Sequence, residues 1–193
     1  LKRIFLLIII SSIFLISCTQ DDAGKVISKL EKTLDNYSGY ETKAELEINM
    51  DEGSSFYILD EFYRHSGEIK LSILEPEENR GIVIEYRDNN IFLNNASISQ
   101  SISLKNVKGI NRGLLFGEIF GNIWKAKFEG EEEQKDIVYY IFSYTSKDAN
   151  RYNKEKKIYM DKRNFKPYKM IILDEEGNPR AVIRYVDFEY IKK

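Results

Sequence analysis

The chain is poor in the residues on which most enzyme and metal chemistry rests. Of 193 residues, one is histidine and one is cysteine. With His65 alone a histidine-rich metal centre is excluded. A serine nucleophile would need that same histidine beside it, oriented by a carboxylate. His65 instead stands next to Ser66-Gly67 at the end of an apolar-rich stretch, the setting of a solvated turn histidine. A glycosidase requires only two carboxylates, and carboxylates are plentiful. They alternate with apolar residues or run together, as in Glu131-Glu132-Glu133, which is the pattern of a solvated surface. No catalytic residue and no metal ligand is expected, and the chain reads as a non-enzyme. It also lacks a basic stripe: 29 Lys+Arg stand against 31 Asp+Glu, so no nucleic-acid partner is expected. One cysteine allows no internal disulfide, so packing alone must hold the fold, and 13 Tyr and 11 Phe supply large apolar areas for it. Only three prolines and a spread of isoleucine suit a β-rich architecture.

The amino terminus is the exception to this polar balance. Lys2 and Arg3 precede an apolar run from Ile4 to Ile16, broken only by Ser11 and Ser12. A membrane span needs roughly 20 apolar residues, so the run has the length of a secretory leader instead. It ends in Leu15-Ile16-Ser17-Cys18, which resembles the lipobox of bacterial lipoproteins. That likeness implies cleavage before Cys18, a diacylglyceryl group on its thiol, and acyl chains such as palmitate as a membrane anchor. A single chain anchors marginally and two anchor durably. The expected organisation is a signal peptide at 1–17, a lipidated tether at 18–23, and one domain at 24–193. Export would place that domain at the outer face of a bacterial membrane. Loss of Lys2 and Arg3 takes the net charge from −2 to about −4.

Beyond the tether, Val26, Ile27, Leu30, Leu34 and Tyr37 recur at helical spacing, predicting a helix from Gly24 to Asn36 capped by Asp22. From Glu41 to Met50 the period changes to two: Glu41, Lys43, Glu45 and Glu47 alternate with Thr42, Ala44, Leu46, Ile48 and Met50. One wet and one buried face indicate an antiparallel sheet. Further strands are expected at Phe56–Arg64, Glu68–Leu74, Gly81–Arg87, Asn90–Asn94 and Ile98–Leu104, separated by turn residues. A second helix is predicted over Asn111–Lys125, with Phe116, Ile119, Phe120, Ile123 and Trp124 as its apolar stripe. Gly113, Gly117 and Gly121 lie beside that stripe, four residues apart. Interior helical glycines cost about 1 kcal/mol each relative to alanine, so a close contact must offset them. Tight packing on the sheet, a movable lid and a surface for another chain all satisfy that requirement. Ile137–Thr145 reads as a central strand covered on both faces, with Glu129–Asp136 and Lys147–Lys156 as flanking loops. Strands at Lys157–Asp161, Tyr168–Asp174 and Arg180–Tyr190 close the chain.

The closing segments carry a more specific pattern. Lys157-Ile158-Tyr159-Met160-Asp161 precedes Pro167-Tyr168-Lys169-Met170. An acidic turn from Asp174 to Gly177 then leads to Val182-Ile183-Arg184-Tyr185-Val186-Asp187-Phe188. This arrangement resembles the closing strands of the LolA/LolB-like lipoprotein-carrier superfamily, and the whole chain, lipobox included, is similar to germination lipoproteins of spore-forming bacteria. The resemblance implies an α+β fold, an open antiparallel β half-barrel packed over two helices. It further implies a non-enzymatic partner that binds and activates a zinc-dependent N-acetylmuramoyl-L-alanine amidase acting on spore cortex peptidoglycan. The rival expectation is a lipid or lipoprotein carrier with an acyl chain in the half-barrel. Exposed strand edges would also permit a homodimer by strand pairing or swapping. No cofactor is expected beyond the N-terminal diacylglycerol.

Overall fold

The computed structural model describes residues 22–87, 90–95, 98–104, 116–145 and 149–193. The first element is α1, Ala23–Leu34. Asp22 caps it, its carboxylate accepting from the backbone N–H of Gly24 at 2.9 Å. Val26, Leu30 and Leu34 form its buried face, as their spacing requires.

Among the described residues twelve strands follow: β1 Tyr37–Met50, β2 Gly53–Arg64, β3 Ile69–Glu75, β4 Ile82–Arg87, β5 Asn90–Asn95, β6 Gln100–Leu104, β7 Lys127–Gln134, β8 Ile137–Tyr144, β9 Glu155–Asp161, β10 Pro167–Leu173, β11 Pro179–Tyr185 and β12 Glu189–Lys192. They make one antiparallel sheet in the order β6-β5-β4-β3-β2-β1-β11-β10-β9-β8-β7, with β12 pairing the first part of β1. The 14-residue β1 is the spine. Along one side it pairs with β2 from Gly39 to Met50. Along the other it pairs first with β12 and then with β11. The last predicted strand is therefore two strands. Val186-Asp187-Phe188 breaks Arg180–Tyr190, Phe188 drops into the core at 5% exposure, and the backbone N–H of Val186 reaches Lys43 O.

Two other expectations are corrected. Glu129–Asp136 is not a loop: β7 runs through it and forms an edge of the sheet. Its glutamates alternate outward along a strand whose Phe128 packs on the core, so a charge run concealed a period of two. Consequently β8 is not central but next to that edge. It is still covered on both faces: Tyr140, Phe142 and Tyr144 face the core, while Tyr139 stacks on Tyr168 at 4.7 Å.

The turn between β10 and β11 gives the acidic-x-glycine pattern its physical content. Asp174, 2% exposed, accepts from the backbone N–H groups of Glu176 and Asn178 and from Arg180 Nε. Gly177 adopts φ +85°, a region that disfavours residues with a Cβ. Arg180 also reaches Asp51 at 2.7 Å and so ties this turn to the end of β1.

One face of the sheet buries both α1 and a short helix, α2, Phe116–Phe120. On that face lie Tyr40 and Ala44 of β1, Leu59 and Tyr63 of β2, Ile158 and Met160 of β9, and Ala181, Ile183 and Tyr185 of β11. Leu30 of α1 is fully enclosed. Truncating it removes apolar contact from the helix–sheet interface and leaves a cavity, which costs about 2–5 kcal/mol. Leu30→Ala is expected to shift the urea midpoint accordingly with an unchanged m value.

Candidate functional site

The segment from Phe116 to Trp124 closes over the inner face of β1, β2 and β11. Only Phe116–Phe120 is α-helical, followed by a 3-10 turn at Ile123–Lys125. The helix predicted over Asn111–Lys125 therefore ends at Phe120 and not at Lys125, and its residues 111–115 lie outside the described residues. Cys18 and Gly113 lie outside the described residues.

Aromatic rings govern how α2 is seated. Phe116 is fully buried, edge-on to Tyr40 at 5.5 Å and to Phe188 at 5.8 Å. Phe120 meets Tyr63 at 5.8 Å and Tyr190 at 6.0 Å. Tyr40 and Tyr63 are direct cross-strand partners in β1 and β2, stacked at 5.4 Å. Such ring pairs contribute about 0.5–1.5 kcal/mol each beyond the area they bury. Ile119 and Ile123 complete the buried side at 0% and 6% exposure.

Gly117 allows this seating. A Cβ there would lie 2.3 Å from Cδ2 of Tyr63, a ring itself held against Tyr40. At Gly121 the nearest neighbour of a Cβ would be Tyr63 Oη at 3.4 Å, an ordinary contact. Of the three readings left open for the glycine stripe, close packing on the sheet describes Gly117. Trp124 departs from the predicted stripe. It is 64% exposed, because the 3-10 turn after α2 rotates the chain away from helical phase.

Two charged groups under α2 run against the sequence-based expectation. Glu61 falls within β2, where alternation predicts solvent-facing carboxylates, yet it is 3% exposed. It sits opposite Thr42 and accepts a short hydrogen bond from the Tyr40 hydroxyl. Burial pushes its carboxyl up to about 7, against the opposing effect of the Tyr40 hydrogen bond. Tyr185, the next ring along the face, has a buried hydroxyl with no hydrogen-bond partner among the described residues, and burial beside Glu61 raises it well above its usual range. The second hidden charge is Lys156. It belongs to no polar loop but begins β9's inward face with no exposure. Its ammonium pairs with Glu118 of α2 at 2.6 Å and lies 5.7 Å from the Tyr144 ring. Burial and the Glu118 carboxylate push the Tyr144 hydroxyl up to about 12. The parity of Glu61 with Leu59 and Tyr63 is the signal that exposes it in the sequence; that of Lys156 with Ile158 and Met160 is the other.

His65 lies in the β2–β3 turn, 4.7 Å from the Phe120 ring. Burial and then Lys193 lower its pKa, with Asp35 acting in the opposite direction. Among the described residues no group of three or more His, Cys, Asp and Glu side chains could hold a metal ion.

Gly117→Ala forces the Tyr63 ring to move and should destabilise the protein by about 1–3 kcal/mol. Gly121 follows the end of α2 and a Cβ there meets only an ordinary contact, so Gly121→Ala should be neutral to within about 0.5 kcal/mol; paired thermal melts separate the two. Folded Glu61 keeps its proton up to about pH 7, whereas the unfolded side chain loses it near 4.5. Its stabilising effect is therefore complete below pH 4.5 and is lost as pH rises towards 7, by roughly 3 kcal/mol. Glu61→Gln should flatten that fall in a series of urea titrations.

Comparison with known proteins places this architecture. No curated protein matches the chain. An uncharacterized conserved protein from Thermus thermophilus aligns with 90% of this chain and 90% of its own, at 14% identity and a TM-score of 0.56. This likeness concerns the fold. The structure of the CwlD amidase from Clostridioides difficile in complex with the GerS lipoprotein contains a second relative. Its GerS chain aligns over 91% of this chain and 99% of its own, at 26% identity and a TM-score of 0.52. The LolA superfamily protein NE2245 from Nitrosomonas europaea aligns over 90% and 94%, at 15% identity and a TM-score of 0.46. The model of the YdcC-like sporulation proteins matches residues 1–193, and the chain belongs to that family.

Proposed function

We propose that this protein is an exported, lipid-anchored, non-enzymatic lipoprotein. In this reading it binds and activates a zinc-dependent N-acetylmuramoyl-L-alanine amidase needed for spore cortex modification and germination. The observation that carries the reading is the likeness to GerS, a lipoprotein seen in complex with the CwlD amidase, at 26% identity over nearly the whole of both chains. Membership of a sporulation family agrees with the setting. The Leu15-Ile16-Ser17-Cys18 sequence supports anchoring through Cys18 at the outer face of the membrane. The ring cluster around Tyr40, Phe116 and Phe120 supports an adaptor over a carrier, because α2 fills the space beneath it.

A second reading has one observation in its favour. At the far end of the inner face, Ile48, Met50, Tyr152, Ile172 and Ala181 line an open cavity of about 460 Å³. In the carrier reading this end of a LolA/LolB-like half-barrel receives an acyl chain. A homodimer, in either reading, forms through β6 and not β7. Pairing two β7 edges would bring Glu131 and Glu133 of each copy together, and like charges facing across strands are destabilising.

Co-purification of residues Thr19–Lys193 with the amidase of the same organism tests the adaptor reading, followed by mass spectrometry of the purified domain. A stable complex with raised amidase activity and no bound lipid is the expected result. Absence of binding together with a fatty acyl ligand would leave the carrier.

A further inference from the structure

The C-terminal end of α1, the β2–β3 turn and the 3-10 turn after α2 enclose a cavity of about 250 Å³. Glu31, Leu34, Asp35, His65, Phe120 and Trp124 contribute to its lining. Three features set it apart from an ordinary surface hollow. First, Trp124 is 64% exposed at its rim, whereas Phe120 and Ile123 beside it are buried. Tryptophan and arginine are the residue types enriched where interface energy concentrates.

Second, Glu31 and Asp35 stand one helical turn apart at the end of α1, and among the described residues neither carboxylate forms an ion pair or a side-chain hydrogen bond. The last carbonyls of a helix carry partial negative charge, which disfavours carboxylates there and favours a cation. Third, the indole face already receives a cation: Lys125 Nζ lies 4.7 Å from its centroid. The other positive groups nearby are Lys32 in the last turn of α1 and Lys193, whose charge acts on His65. None of them pairs with Glu31 or Asp35.

We propose that this cavity is the docking site for a basic side chain, arginine or lysine, presented by the amidase partner. The aliphatic stem lies against Trp124 and Phe120, where a cation–π contact is available, and the charged head meets Glu31 and Asp35. This assignment rests on the adaptor reading above. Its placement is clear of the proposed lipid anchor. The twelve residues of α1 rise about 18 Å, so the cavity sits at the opposite end of the helix from Asp22, where the tether enters.

The test uses the mature lipoprotein in detergent micelles, titrated with the amidase of the same organism. Trp124→Ala and the double variant Glu31→Gln/Asp35→Asn are each expected to weaken binding at least tenfold. Trp124→Ala should keep the wild-type thermal melt, and the double variant should match or exceed it, because two carboxylates leave the negative end of α1. The double variant should also lose most of the salt dependence of binding. Phe56→Ala, at an exposed apolar position near the opposite end of β2 from the cavity, serves as the control and should bind as wild type. 5-Fluorotryptophan in this chain reports on its single tryptophan, and its 19F resonance should shift on complex formation. Wild-type affinity in both cavity variants, with an unmoved resonance, would overturn the docking site and leave the adaptor reading standing. Failure of the wild-type protein to bind would remove both.

Discussion

Rings from three parts of the chain meet beneath α2. Tyr40 comes from β1, Tyr63 from β2, and Phe188 from the break between β11 and β12. Phe116 and Phe120 reach all three only because Gly117 has no side chain to hold the helix away from Tyr63. Much else depends on this close approach. It brings Glu118 to the buried ammonium of Lys156, covers Glu61 and Tyr185 from solvent, and sets the exit of the chain that carries Trp124 outward. A buried ion pair is weak evidence for stability in itself, but breaking one leaves an uncompensated charge. The Glu118–Lys156 pair therefore fixes where α2 lies on the sheet more than how tightly it is held.

The same packing accounts for the division of the inner face. Where α2 and α1 cover it, the face is filled by aromatic and aliphatic side chains. Beyond Ile69, rows such as Leu71, Ile84, Leu93 and Ile102 continue the apolar face towards the β6 edge with rising exposure. At the other end, past Ile48 and Ala181, it opens again. An adaptor and a carrier can share such a scaffold, since a fold does not by itself select a function. The proposed adaptor reading takes its weight from the likeness to GerS and from the filled centre.

Local periodicity is enough for most of the architecture. The alternation through β1, the 3.6-residue recurrence in α1 with its Asp22 cap, and the Asp174–Gly177 turn each declare a structure that neighbouring residues can specify alone. Where expectation and structure part, a local pattern has two possible origins. Glu129 to Glu133 resembles a solvated loop until β8 pairs with it. Arg180–Tyr190 looks like one strand until Phe188 is pulled into the core. Glu61 and Lys156 are ionisable side chains that sequence assigns to water, and only their parity with buried neighbours hints otherwise.

From sequence alone came the antiparallel sheet, the first helix, the near-absence of histidine and cysteine chemistry, and the lipobox expectation. All of these depend on residue type and short-range spacing. Only the tertiary structure decided that β7 is an edge, that α2 ends at Phe120, that Gly117 serves Tyr63, and that Trp124 faces solvent. Those outcomes turn on which distant segments share a face, and no window of neighbouring residues contains that information.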